Sequence, residues 1–483
     1  MKNLDFFRRD NVKLNDLIRT DDFSARTEIS GICRDASQVK PGDAFFLFSR
    51  DDGYAAQAIN AGAAVIISET DLPRTEVPCL RVADVRKAFA LASLRAEGEP
   101  QKKLRICAVT GTNGKTTVAN MLSAILREAG YKCATVGTLG TDIGGTLVET
   151  GYTTPPSDVF AKLISRAADE KYDFVVTEYS SHALSQSRLW GIDFEAGIFT
   201  NLSHDHLDYH KTVADCAKAK ASLFAHCKHS VINYDDRRAY EMAWAARENV
   251  WYYSALESAA DFRAKNIVKS ESGISFDLET GGACRRINSS LYGIYSVYNM
   301  LAASAAAAAL GVSHRLISAA LEKFRTVPGR MEKVSGDADI SVIVDFAHTP
   351  DAMKNVLGAA REFVHGKVIC VFGCGGERDT LKRPQMCKVA CEYADRVIVT
   401  SDNPRSEDPD EIIMQIMRGA TAGRDVTAVT DRADAIREAI LGADPGDCVM
   451  ILGKGHEKTM EMRDGKRHFS DAEQAMNFLK ERG

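Results

Sequence analysis

The segment Val-Thr-Gly-Thr-Asn-Gly-Lys-Thr-Thr at residues 109–117 constrains the fold more than any other part of the chain. An apolar run at 104–110 leads into a turn with Gly111 and Gly114, and a helical stretch at 116–129 follows. A buried strand, a glycine turn and a helix in that order belong to an open α/β sheet. At such a helix N-terminus, backbone N–H groups and the helix dipole together attract an anion. The two glycines let the backbone approach phosphate oxygens. Lys115 neutralises charge on the outer phosphates, and the Thr116 hydroxyl can sit on Mg²⁺. The strict phosphate-loop pattern asks for another glycine at 109, where valine stands.

Apolar runs suited to strands recur elsewhere, at 43–48, 63–68, 174–178, 197–201, 231–233, 340–346, 367–372, 396–401 and 448–452. Helical stretches fall between them, including 55–61 and the alanine-rich 301–310. Such alternation predicts α/β units with mostly parallel sheets. A length of 483 residues allows two to four domains. The polar stretch 96–103 and the Val-Pro-Gly-Arg segment 327–330 are natural breaks. The expected division is 1–100, 101–328 and 329–483.

Hydrophobic residues make up 45% and charged residues 26%, so the chain is neither disordered nor supercharged. The net charge of −5 gives no global basic field, which disfavours nucleic acid and anionic membranes as partners; anionic ligands would need local positive charge. The polar start and the lack of a long apolar run predict a cytoplasmic protein. The twelve cysteines show no disulfide framework. Cys370, Cys374, Cys387 and Cys391 form two CxxxC pairs, but they read as small hydrophobes rather than a zinc site.

Two further segments carry chemistry. Glu178 ends the run 174–178, where ligands gather in open α/β sheets, and a carboxylate there suits Mg²⁺. The segment 200–210 places His204, His206 and His210 after another strand, and the residues alone do not choose among them as ligands of a second Mg²⁺. Lys220 reads by itself as a solvated helix lysine.

Eight motifs in one order now narrow the reading. VTGTNGKTT, TEYSSHAL, TNLSHDHLDYH, PGRME, VDFAHTPDAM, VFGCGGERDTLKRP, TSDNPRSEDP and ILGKGHE lie between residues 109 and 457, and the likeness they belong to extends over about residues 31–471. Together they resemble the Mur ligases, and among them the type that adds a diamino acid to UDP-N-acetylmuramoyl-L-Ala-D-Glu. The resemblance implies three domains: a UDP-binding N-domain, a P-loop-type central ATPase domain and a Rossmann-like C-domain. It implies that Gly111, Thr112, Asn113, Gly114, Lys115, Thr116 and Thr117 cradle ATP phosphates, with Asn299 reading adenine and Asp345 touching the nucleoside. Arg330 would reach the phosphates on closure of the C-domain about a hinge at 327–330. Thr116 and Glu178 would hold one Mg²⁺; His206 and Lys220, carbamylated by CO₂, would serve two ions in all. Thr153, Thr154, Ser180, Gln186 and Arg188 would contact the nucleotide sugar, and the segments around Ala36 and at Ser49, Arg50 and Asp51 the uridine. Arg378, Asp402, Asn403, Pro404, Arg405, Gly453 and Glu457 would bind the incoming amino acid.

The last group suits meso-diaminopimelate, whose distal carbon carries both a carboxylate and an ammonium. Arg405 can clamp the carboxylate and Glu457 receive the ammonium. Lysine lacks the carboxylate and would leave a buried Arg405 unpaired. Ala36, Tyr54, Tyr152, Cys216 and Ser296 depart from the family's usual residues, at binding details only. The implied reaction is an ATP-dependent amide ligation through an acyl phosphate, carried out by a monomer on small molecules, with His348 or His210 as candidate base. A P-loop nucleotidase or a non-catalytic nucleotide-binding protein would explain the glycine turn but not the DNPR and GKGHE motifs; L-lysine in place of diaminopimelate is the alternative within the ligase class.

Overall fold

The structure is a computed structural model and describes residues 12–18, 26–72, 76–143, 146–203, 207–256, 259–270, 272–336 and 338–483. Three sheets dominate, one after another along the chain. The first has four parallel strands, Gly31–Cys33, Asp43–Phe46, Val65–Ser68 and Cys79–Arg81. Every residue of Asp43–Phe46 and Val65–Ser68 is buried, because elements cover both faces. Phe46, Val65, Ile67 and Phe89 share one of its cores.

The second sheet has eleven strands, with Arg105–Thr110 between Phe174–Glu178 and Phe194–Phe199, all three parallel. Beyond Phe194–Phe199 the parallel register continues through Cys227–Asn233 and Asn249–Ser254. Both ends are antiparallel, which the sequence reading does not foresee. One is the hairpin Gly140–Ile143 and Thr146–Val148; the other is the meander Phe262–Ser270, Gly273–Thr280 and Ala283–Ser289. The helix Lys115–Glu128 packs against Ile294–Ala309, whose Ala302, Ala303, Ala305, Ala306 and Ala307 are fully buried. Small side chains there let the two helices approach closely.

The third sheet runs Glu332–Lys333, Ser341–Asp345, Cys448–Leu452, Val368–Phe372, Arg396–Val399, Asp425–Ala428, parallel except for its first strand. Val368, Cys370 and Phe372 face one core, and Ile369 and Val371 the other. The strand therefore reads as a continuous apolar run. Cys370, Cys374, Cys387 and Cys391 all lie in the first of these cores. Burial pushes the thiols of Cys374 and Cys387 up to about 12. Among the described residues no group of three or more His, Cys, Asp or Glu side chains is placed to hold a metal, and no helix is long and apolar enough to cross a membrane.

Candidate active site

The carboxyl ends of Arg105–Thr110, Phe174–Glu178 and Phe194–Phe199 converge on one cleft of about 1010 Å³. Gly111 turns with φ +148°, and a Cβ there would lie 1.8 Å from Thr200 Oγ1. Gly114 has φ +86°, and a Cβ would lie 2.5 Å from Asn299 Oδ1. No other residue fits either place. The turn is pinned to the neighbouring strand end, since Thr112 N donates to Asn201 O (2.8 Å) and Asn113 N to Asn201 Oδ1 (3.0 Å). Lys115 Nζ curls over the turn onto the carbonyls of Gly111 (2.9 Å) and Thr112 (2.8 Å). Its ammonium thus lies over the glycine turn. Asn299 and Thr117 line the same cleft, beside Tyr292, Tyr295 and Tyr298, which the sequence reading did not single out.

Glu178 is 1% exposed and accepts from Thr116 Oγ1 (2.9 Å), Thr138 N (2.8 Å) and Thr138 Oγ1 (3.0 Å). Burying a carboxylate requires such donors. Gly137 makes the fit possible, because a Cβ would fall 2.2 Å from Glu178 Oε1. Thr138 is a site residue the sequence reading missed; its signal is the glycine-flanked Gly137-Thr138-Leu139-Gly140 that follows a strand.

Arg330 reaches across from the segment between the second and third sheets, with Nη2 donating to Thr116 Oγ1 (3.2 Å). Its guanidinium stacks 4.6 Å from the Phe346 ring centroid, and its buried Nε has no hydrogen-bond partner among the described residues. Burial lowers its pKa, against the opposing fields of Asp345 and Glu178. Asp345 Oδ2 accepts from Met331 N and Oδ1 from Ala347 N, both 2.7 Å, so it braces the turn that presents Arg330. Burial raises its pKa, and the Arg330 charge opposes that rise. His348 Nδ1 lies 2.8 Å from Phe346 O; a carbonyl only accepts, so Nδ1 carries the proton and Nε2 is the basic nitrogen of the neutral ring.

Lys220 departs from the sequence expectation. It lies on the helix Val213–Ala221 and is 1% exposed, not solvated. That helix packs on Ser181–Ser185 and Leu207–His210, so Lys220 is buried behind the cleft wall. His210, on the neighbouring helix Leu207–His210, is also buried, its ring 5.6 Å from His182, which lines the cleft. His204 and His206 fall outside the described residues.

Thr154, Ser180, Gln186 and Arg188 form one linked wall. Thr154 Oγ1 donates to Glu178 O (2.8 Å) and accepts from Ser180 N (3.0 Å). Arg188 Nη1 donates to Thr154 O (2.5 Å) and its Nε to Gln186 Oε1 (3.0 Å). Thr153 sits next to them, within 3.2 Å of Thr138 Oγ1. A smaller pocket continues from Gln186 and Arg188 towards Arg34, Phe48 and Arg86. Ala36, Ser49, Arg50 and Asp51 line neither cavity. Ala36 is in the core, and Asp51 caps the helix Asp52–Asn60 by accepting from Gly53 N (2.9 Å).

At the far end of the cleft, Arg378, Asp402, Asn403, Arg405, Gly453 and Glu457 come together; Pro404 stands between two of them without lining the cleft. Asn403 Nδ2 donates to Glu457 Oε2 (2.9 Å). The fully buried Lys454 donates to Asn403 Oδ1 (3.0 Å), Glu457 Oε2 (3.0 Å) and Thr459 O (2.8 Å), which uses all three of its protons. Arg405 is not the unpaired buried cation expected from sequence. Its side chain is 23% exposed and its Nε donates to Glu461 Oε2 (3.0 Å). Lys454 and Glu461 were both missed. Lys454 lies inside the GKGHE motif, whereas no pattern marks Glu461.

Residues 109–307 match the model of the Mur ligase middle domain, and 329–455 that of the Mur ligase glutamate ligase domain. A relative from Syntrophomonas wolfei, named UDP-N-acetylmuramoyl-L-alanyl-D-glutamate–2,6-diaminopimelate ligase, is 42% identical over 94% of this chain and 95% of its own. One of the same name from Gloeobacter violaceus is also 42% identical, over 94% of each chain. A solved structure of a ligase of that name superposes with TM-score 0.70 at 33% identity, covering 98% of this chain and 99% of its own. Another, MurF from Acinetobacter baumannii, has TM-score 0.65 at 19% identity and shares the fold. With matches of this extent and identity, the chain belongs to the Mur ligase family.

Proposed function

We propose that the chain is an ATP-dependent ligase joining meso-2,6-diaminopimelate to the D-Glu γ-carboxylate of UDP-N-acetylmuramoyl-L-Ala-D-Glu, a step of peptidoglycan precursor synthesis. One observation carries this reading: a single cleft runs from the phosphate turn, past the Thr154–Arg188 wall, to the loops holding Arg405 and Glu457. The relatives' names supply the substrates. The division of labour follows 1–100 for the nucleotide sugar, 101–328 for ATP and 329–483 for the amino acid, in a cytoplasmic monomer.

The D-Glu carboxylate attacks the ATP γ-phosphate in line, releasing ADP and forming an acyl phosphate. The diaminopimelate amine then attacks the acyl carbon, and the tetrahedral intermediate expels inorganic phosphate. Lys115, the backbone of the glycine turn and Arg330 hold the phosphates and offset their charge. Arg330 suits this role because its desolvated Nε gains a partner when an anion arrives. Thr116 and Glu178 offer paired oxygen donors, the donor type Mg²⁺ prefers, and His206 and carbamylated Lys220 would complete two ion sites. Bound Mg²⁺ would neutralise charge on the β- and γ-phosphates. Carbamylation fits the burial of Lys220, because only a neutral amine adds CO₂ and burial disfavours the ammonium. The proton of the attacking amine would pass to His348, which lines the cleft and whose Nε2 is the basic ring nitrogen.

The test is phosphate release with ATP, Mg²⁺ and the nucleotide-sugar acceptor, using meso-diaminopimelate, L-lysine or no amine. Release that requires diaminopimelate supports the reading. A preference for lysine overturns the amino-acid assignment, and no release with any amine overturns the ligase itself.

A further inference from the structure

The hairpin Thr459–Met462 and Gly465–His468 follows the GKGHE motif, and one of its residues grips Arg405 at two places. Arg405 N donates to Glu461 O (3.0 Å), and Arg405 Nε donates to Glu461 Oε2 (3.0 Å). Arg405 has φ +54°, a left-handed conformation costly for a side chain of this size, so surrounding contacts must hold it there. Glu461 N also donates to Asn403 Oδ1 (2.9 Å), which ties the same residue to the partner of Glu457. Lys466, its register partner across the hairpin, holds the other carboxylate oxygen at 2.6 Å. Lys466 and Arg405 both keep Glu461 ionised, drawing its pKa below the usual range.

The consequence lies in which guanidinium edge is left over. Nε is taken by Glu461 and one Nη1 proton by Gly376 O (2.7 Å), while Nη2 makes no hydrogen bond among the described residues. Arg405 lines the cleft, so the terminal Nη edge is the part offered to a ligand. We infer that Glu461 is a positioning residue for amino-acid specificity, fixing the Arg405 guanidinium so that its terminal edge meets the distal carboxylate of the incoming diamino acid. The inference rests on the ligase reading above. It changes the basis of selection. Lysine is not rejected by a stranded charge, because Glu461 already compensates Arg405. Diaminopimelate is favoured instead by hydrogen bonds that a pre-set guanidinium can make without reorientation.

The experiment compares wild type, Glu461→Ala, Glu461→Gln, Arg405→Ala and the Glu461→Ala/Arg405→Ala double variant, each checked for folding by thermal melting. KM is measured for diaminopimelate, ATP and the nucleotide sugar, together with the ratio of kcat/KM for diaminopimelate over L-lysine. Loss of one orienting charged hydrogen bond predicts a rise of about tenfold in the diaminopimelate KM of Glu461→Ala. The other two KM values stay near wild type. Glu461→Gln keeps an acceptor for Nε and recovers most of the loss. In the Arg405→Ala background, removing Glu461 lowers the ratio no further. An unchanged diaminopimelate KM in Glu461→Ala, an equal rise in all three, or additive losses in the double variant would each overturn the inference and leave the ligase reading intact. A wild type that does not prefer diaminopimelate overturns both.

Discussion

Replacing Asp471 by leucine strands a buried guanidinium between the helices Arg432–Leu441 and Asp471–Arg482 that pack on the third sheet. Arg432 and Asp471 are both 0% exposed and form a bidentate pair, Nε to Oδ1 and Nη2 to Oδ2, each 2.7 Å. Arg432 also donates to the carbonyls of Ser401 and Leu452, both 3.0 Å. Those residues immediately precede Asp402 and Gly453, so the pair sets the height of both loops of the amino-acid pocket. Breaking a buried pair by removing one partner costs about 3–5 kcal/mol, because the remaining charge is desolvated and unpaired. Asp471 lies in the first turn of the helix Asp471–Arg482, so its loss also removes a favourable dipole interaction of about 0.3–1 kcal/mol. At roughly 2–4 °C per kcal/mol, the combined loss of about 3.3–6 kcal/mol should lower the transition of this sheet by about 7–24 °C. The double variant Arg432→Leu/Asp471→Leu removes the stranded charge but takes a donor from two carbonyls, each loss costing about 1 kcal/mol. It should therefore be more stable than Asp471→Leu. Differential scanning calorimetry gives the stability, and hydrogen exchange at Cys448–Leu452 and Arg396–Val399 locates the loss. A single variant within about 1 kcal/mol of wild type, or a double variant less stable than the single, would refute the reasoning.

Two further outcomes follow. Lys220→Ala should lower turnover by at least about a hundredfold, and wild type should slow in CO₂-free buffer and recover with bicarbonate; full activity in the alanine variant removes the carbamate. His456, its ring 5.5 Å from Phe346, has its pKa held down to about 4 by burial, then by Arg330, with a backbone hydrogen bond to Thr138 opposing the drop. A depressed folded pKa means the unfolded chain takes up the proton first, so this stability is present in full above the ordinary histidine pKa and is lost as pH falls towards about 4. Melting temperatures followed between pH of about 7.5 and 4.5 should drop less for His456→Gln than for wild type, and parallel curves would refute the assignment.

How much was legible in the sequence depended on the kind of signal. The strands Phe174–Glu178 and Cys448–Leu452 appear at the expected residues, because strands covered on both faces are continuous apolar runs. The meander at 262–289 was invisible to the same search. In Gly273–Thr280, buried Phe276 and Leu278 alternate with Ser275, Asp277 and Glu279, as one-sided antiparallel strands require. The glycine turn was read correctly as a turn, but the reason for each glycine lies in Thr200 and Asn299, far away in sequence. Lys220 taken by itself reads as solvated, because a lysine on a short helix carries no local mark of burial, and only the family resemblance singles it out. Its environment comes from two other helices packed on its own. Arg405 was legible as a candidate clamp through its motif, whereas its pairing with Glu461 depends on a hairpin that no motif announces.

The central claim is that one cleft activates a carboxylate with ATP and delivers a diamino acid to it. It is tested most directly by a single competition. Wild type is incubated with ATP, Mg²⁺, UDP-N-acetylmuramoyl-L-Ala-D-Glu and equal concentrations of meso-diaminopimelate and L-lysine, and the nucleotide product is identified by mass spectrometry. The structure predicts the diaminopimelate adduct as the dominant product, formed in step with ADP and phosphate. A dominant lysine adduct, or ADP released with no adduct at all, would contradict it.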